Sequence, residues 1–113
     1  MHEMSVATGI LNVLGAKLSQ LPPCKLLALQ LTVGKLSGIE TQSLRFALDT
    51  ILAGQGHNNV HLHLRESPAV FKCTACNWHG HLETFTLRCP DCNATELDII
   101  DGQDVILERI EVE

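Results

Sequence analysis

The chain has 113 residues, 45% hydrophobic and 19% charged, with a formal charge of −5 at pH 7. That suits one domain, or one small domain carrying a metal-clipped appendage. It holds no apolar run near the ~18 residues of a membrane span, no basic-then-apolar leader at Met1-His2-Glu3-Met4, and no basic surplus that would favour nucleic acid.

Residues 3–20 carry the first helical pattern, with Met4, Ala7, Ile10, Leu11, Leu14 and Leu18 on one stripe. Pro22-Pro23 ends it, since neither ring nitrogen can donate to the helix. Residues 25–33 read as a strand, with Leu27, Leu29, Leu31 and Val33 alternating onto one face. A second helix is predicted from Thr41, a good N-cap, to Leu52, burying Leu44, Leu48, Ile51 and Leu52. Over 59–66 the pattern alternates again, with Val60, Leu62 and Leu64 inward and His61, His63 and Arg65 outward. Residues 104–113 form the last strand. The predicted class is α+β: a three-stranded sheet with two helices, plus a zinc-ribbon-like lobe inserted before the last strand. The expected boundaries are 1–68 with 102–113 for the α/β unit and 69–101 for the lobe.

The lobe is read from its cysteines. Cys73-Thr-Ala-Cys76 and Cys89-Pro-Asp-Cys92 are two identical turns, each presenting two thiolates. Facing each other, they supply the four sulfurs of a closed tetrahedral Zn²⁺ site. Twelve residues separate the pairs, against the usual spacing of about 15–20. Iron takes the same ligands, but would be expected to come with more cover for its sulfurs than Phe71, Trp78 and Phe85. A closed site offers a substrate no open position, so the quartet reads as a scaffold. An odd count of five cysteines argues for a reducing compartment, with the cytoplasm as default. Four thiolates and one dication add −2, taking the net charge to about −7. Within 70–98 only Lys72 and Arg88 oppose Glu83, Asp91, Glu96 and Asp98, which weakens a nucleic-acid role for the ribbon.

His2 is the second feature. The amine of Met1, the amide nitrogen of His2 and its imidazole can close two fused rings around one ion. Nitrogen donors in tetragonal geometry suit Ni(II) or Cu(II). Glu3 can add a carboxylate. A frayed terminal residue is the competing reading. His61 and His63 share an outward strand face near His57, and serve either a surface metal site or a solvated polar face. His79 and His81 fall between the cysteine pairs and read as exposed loop residues, support for the zinc site or donors to another metal. Cys24 reads as a small apolar residue at a strand start. No nucleophile is paired with a base, and no phosphate loop is present, so no catalytic residues are predicted and the chain is not read as an enzyme.

The start Met1-His2-Glu3-Met4-Ser5, the segment Val33-Gly34-Lys35-Leu36-Ser37-Gly38-Ile39-Glu40, the two Cys-x-x-Cys turns and the closing Arg109-Ile110-Glu111-Val112-Glu113 together resemble the HypA/HybF family. These are nickel-insertion accessory proteins of [NiFe]-hydrogenase maturation. The resemblance implies an N-terminal nickel-binding α/β domain and a zinc domain held by Cys73, Cys76, Cys89 and Cys92. It implies nickel at Met1, His2 and Glu3, with His2 essential. Glu40, after the Gly-x-x-Ser turn, and His79 or His81 are further ligands it suggests. It also implies work with the GTPase HypB and the hydrogenase large-subunit precursor. A homodimer is open, and neither nucleic acid nor membrane is expected as a partner. The expected function is a nickel metallochaperone with structural Zn²⁺ and transported Ni²⁺. The alternative is a zinc-ribbon binding module for nucleic acid or a protein complex, without a nickel role.

Overall fold

A computed structural model describes residues 2–82 and 87–113; Met1 and Phe85 lie outside the described residues. Helix α1 spans Glu3–Leu18 and strand β1 Leu26–Gly34. Helix α2 spans Thr41–Gly54 and strand β2 His61–Ser67. Three short strands follow, β3 Val70–Cys73, β4 His79–His81 and β5 Leu97–Asp101, before the last, β6 Val105–Val112.

The elements build two three-stranded sheets, ordered β2-β1-β6 and β4-β3-β5. β1 is the centre of the first. It runs parallel to β2, with Leu29 opposite Leu62, and antiparallel to β6, with Leu29 opposite Ile110. A parallel neighbour needs a crossover, and α2 supplies it. Both helices cover one face. Leu29, Leu31 and Val33 of β1 pack there with Leu14 of α1 and Leu44 and Leu48 of α2. The Arg45 guanidinium ties α2 to the sheet by donating to the Leu62 carbonyl at 2.8 Å. Burial of such side chains is worth roughly 1.5–3 kcal/mol each, which makes this cluster the main source of stability.

The expected three-stranded sheet with two helices is present, and the inserted lobe carries a sheet of its own. Four local expectations need correction. Met4 is 49% exposed, because the helix stripe reaches the core only from Ala7 onward. Leu27 is half-buried, because the β1–β6 register shifts between Leu26 and Ala28. The cap of α2 is Glu40, not Thr41: the Glu40 carboxylate accepts the Ser43 N–H at 2.6 Å, and Thr41 is the first helical residue. Cys24 is exposed, in the segment that Pro22-Pro23 keeps out of β1.

The lobe leaves and rejoins the sheet at one point, the C-terminal end of β1. There the Gly34 N–H donates to Asp104 O at 2.8 Å, Lys35 N–H to Ser67 O at 2.9 Å, and Leu36 N–H to Gly102 O at 2.8 Å. The backbones come too close for side chains. A Cβ on Gly34 would overlap the Gly102 carbonyl, and one on Gly102 would sit 2.6 Å from Pro68 O. Gly102 also has φ +92°, where an L side chain is strained. Gly102→Ala therefore destabilises the chain by about 1–3 kcal/mol from backbone strain alone, with the steric overlap added. Gly9→Ala, in the open helix α1 with nothing within 4 Å, is neutral or stabilising. Thermal unfolding of the two variants checks the contrast.

Candidate metal centres

The cysteine cluster is built by two turns. Cys73 ends β3, and its N–H donates to Trp78 O at 2.9 Å, folding the Cys73–Cys76 turn back on itself. The second turn is closed by Cys89 N–H to Ala94 O and Asn93 N–H to Cys89 O, both 2.9 Å, with Asn93 at φ 63°. Asparagine tolerates that left-handed conformation better than most residues. The four Sγ atoms all lie within 4.8 Å of one another. Cys73 and Cys92 are 3.6 Å apart, as are Cys76 and Cys89. A tetrahedral ion with metal–sulfur bonds of about 2.3 Å sets its sulfurs about 3.8 Å apart, so the donor set fits Zn²⁺ before any rearrangement.

Amide hydrogens point into the cluster. Ala75 N–H donates to Cys73 Sγ at 3.3 Å and Trp78 N–H to Cys76 Sγ at 3.5 Å. Such donors stabilise thiolate charge, and they were not legible beyond the Cys-x-x-Cys spacing itself. Burial alone opposes ionisation of Cys73, but the Ala75 amide, helped by neighbouring donors, outweighs it and holds this thiol down at about 7. At Cys76 the Trp78 amide favours the thiolate, yet burial and the adjoining sulfurs prevail and push it up to about 12. Cys92 is also pushed up, its Ala94 amide being outweighed by Cys73 and burial. One thiolate thus repels the next until a dication supplies the missing positive charge.

The N-terminal residues are placed differently. His2 is the N-cap of α1, extended at φ −91° and ψ 145°, and its ring makes no capping bond. It is exposed, and its carbonyl accepts Val6 N–H at 3.1 Å. Glu3 is the first helical residue and half-buried. Glu40 is exposed and its Oε2 is engaged by Ser43. His79 and His81 are exposed, but they lie on β4 rather than in a loop. Two residues apart, they leave the same face, and His81 Nδ1 sits 3.2 Å from Ala69 O. Among the described residues, the quartet is the one group of three or more His, Cys, Asp or Glu whose donor atoms gather around one ion position. His2, Glu3, Glu40, His79 and His81 are not gathered into such a group, and Met1 lies outside the described residues. The loop before Glu40 does approach the start of α1: Ser37 and Ile39 line one groove with Ser5 and Val6.

Comparison with known proteins agrees with this arrangement. The family model for HypA, hydrogenase/urease nickel incorporation metallochaperone, matches residues 1–112. The hydrogenase maturation factor HypA of Chlorobaculum parvum is 31% identical over 113 residues, all of both chains. That of Azotobacter vinelandii is also 31% identical over the full length of both. The solution structure of the Ni metallochaperone HypA from Helicobacter pylori superposes with a TM-score of 0.72 at 17% identity, covering 98% of this chain and 97% of that one. The order of elements, the thiol quartet and the end-to-end match together place this chain in the HypA family of nickel-incorporation metallochaperones.

Proposed function

We propose that the chain carries Ni²⁺ at its N-terminus and delivers it to the large-subunit precursor of a [NiFe]-hydrogenase, working with a HypB-type GTPase. The observation that carries the site assignment is the state of His2. An N-cap residue contributes its carbonyl to the helix, while its own N–H has no intrahelical partner. The His2 amide is therefore free to lose its proton to a metal without breaking a helix bond, and its exposed ring is not committed to capping. The amine of Met1, the amide and imidazole of His2 and the carboxylate of Glu3 make the ligand set. Glu40 offers Oε1, and His79 or His81 can add an imidazole from the lobe.

Electrostatics favours loose binding. A helix N-terminus carries about +0.5 charge, which repels a cation. Glu3 in the first turn offsets this without reversing it. Weak attachment suits a carrier that must release its ion.

The proposed division is a nickel unit, 1–68 with 102–113, and a zinc unit, 69–101. The zinc unit holds structure and a partner-facing surface. Among the described residues it shows no catalytic apparatus, and the chain is read as a non-catalytic maturation factor, as its family match supports. The zinc-ribbon module without nickel fits less well, given an acidic ribbon and a nickel-incorporation family match from residue 1 to 112. No described helix is long and apolar enough to cross a membrane; the proposed place of work is the cytoplasm.

Titrating Ni²⁺ calorimetrically into native and His2→Ala protein tests the assignment. Native protein binds; the variant loses the site while keeping its zinc and its helical circular dichroism. Equal heats in both reject His2. Nickel binding also weakens in mild acid, since protons compete for the amine, amide and imidazole.

Zinc removal gives a separate readout. The single tryptophan, Trp78, lies in the lobe. Chelation, or Cys73→Ser, should red-shift its emission while the helical signal of the α/β unit survives. Loss of both together would show that the two units fold as one. Near neutral pH, zinc uptake releases protons, because Cys76 and Cys92 are pushed up and still carry theirs.

A further inference from the structure

A third set of nitrogen donors lies away from both centres. His61 and His63 stand two residues apart on β2, so both side chains leave the same face of the sheet. Leu62 between them points into the core under the helices, which puts the histidines on the opposite, open face. Both are exposed. Their rings are stacked, with centroids 5.8 Å apart and planes 13° from parallel. β2 is an edge strand that pairs with β1 alone among the described strands.

We propose that His61 and His63 form a bidentate imidazole site for a borderline transition-metal dication, Ni²⁺ or Cu²⁺. An ion about 2.1 Å from an imidazole nitrogen lies about 3.2 Å from the ring centroid, so two rings sharing one ion have centroids about 4.5–5.2 Å apart. The observed stack, 5.8 Å between centroids with planes 13° from parallel, needs a closure of about 1 Å and a turn of the rings about χ2 that brings both in-plane lone pairs onto one ion, within the rotamer freedom of exposed side chains. Two neutral imidazoles select nitrogen-preferring ions, in the order Cu²⁺ above Ni²⁺, and give Mg²⁺ or Ca²⁺ no reason to bind. Glu111 lines a small depression with His63, but its Oε1 is held 3.4 Å from Arg109 Nε. Water then fills the remaining positions, which keeps the ion exchangeable.

The site lies across the sheet from α1, on which His2 sits, so one ion cannot serve both. It stands whether or not His2 binds nickel, and the test separates the two. Ni²⁺ is titrated into four zinc-loaded proteins: native, His2→Ala, His61→Gln with His63→Gln, and the triple variant. Binding is followed by calorimetry and by paramagnetic broadening of histidine ring resonances. The exposed substitutions should leave the melting temperature unchanged. His2→Ala protein is expected to retain a weaker class of sites that broadens His61 and His63 and disappears in the triple variant. The double variant should lose this class and keep the tighter one. No residual binding in His2→Ala protein, or residual binding that the triple variant keeps, overturns the proposal. Loss of the tighter class in His2→Ala reports on the N-terminal site independently.

Discussion

Everything beyond the core sheet depends on the close backbone approach at the end of β1. Gly34 and Gly102 meet where no Cβ fits, and three backbone hydrogen bonds, from the N–H groups of Gly34 to Asp104, Lys35 to Ser67 and Leu36 to Gly102, cross the gap. The chain that leaves the sheet after Ser67 must return beside it at Asp104, or β6 cannot pair with β1. A lobe of about thirty residues can be inserted there without disturbing the sheet because both its ends are fixed by β1 itself. The result is elongated, 55 Å along its greatest extent, with a Cα radius of gyration of 17.6 Å against about 13 Å for a compact chain of this length.

The thiol quartet and the start of α1 solve opposite problems. Among the described residues the lobe's buried apolar side chains are few, chiefly Ala69 and Phe71, so its structure leans on ligation. Its sulfurs are gathered by turns, supported by amide hydrogens, and partly sheltered, with Cys73 and Cys89 buried. That is a site built to keep its ion. At the start of α1, His2 is exposed, its ring makes no capping bond and it sits beside the positive end of the helix. The nickel site proposed there would bind through a few nitrogens and yield its ion readily.

Much of this was legible because periodicity and spacing report packing directly. The α1 stripe, the alternation in β2 and the paired Cys-x-x-Cys turns each follow from a single geometric repeat. What was not legible depended on local departures from the repeat. Leu27 belongs to the β1 alternation, but the register shift beside it turns it partly out of the core. Glu40 and Thr41 are both able to cap, and only the observed Ser43 bond shows which does. Strands β3, β4 and β5 gave little pattern because metal ligation rather than an apolar face organises them; their burial runs are short and irregular. Without such a pattern, the sequence places His79 and His81 in a loop, whereas they lie on β4. The proposed nickel ligands are a different case: among the described residues no cluster gathers His2, Glu3, Glu40, His79 and His81.

The placement of β4 bears on how the thiol quartet and the proposed nickel site could communicate. His81 hangs on β4, which pairs with β3, and β3 ends in Cys73. Its Nδ1 contact with the Ala69 carbonyl, beside the Gly34–Gly102 junction, leaves Nε2 as the nitrogen free to face outward. A zinc ion that fixes Cys73 fixes the end of β3, and through it the strand pairing that orients His81. The same junction fixes the end of β1, from which the loop to Glu40 departs. Occupancy of the thiol site would thus set the position of an imidazole and a carboxylate with respect to the sheet, while making no contact with nickel. Coupling of this kind needs no long pathway, only one rigid junction shared by both units.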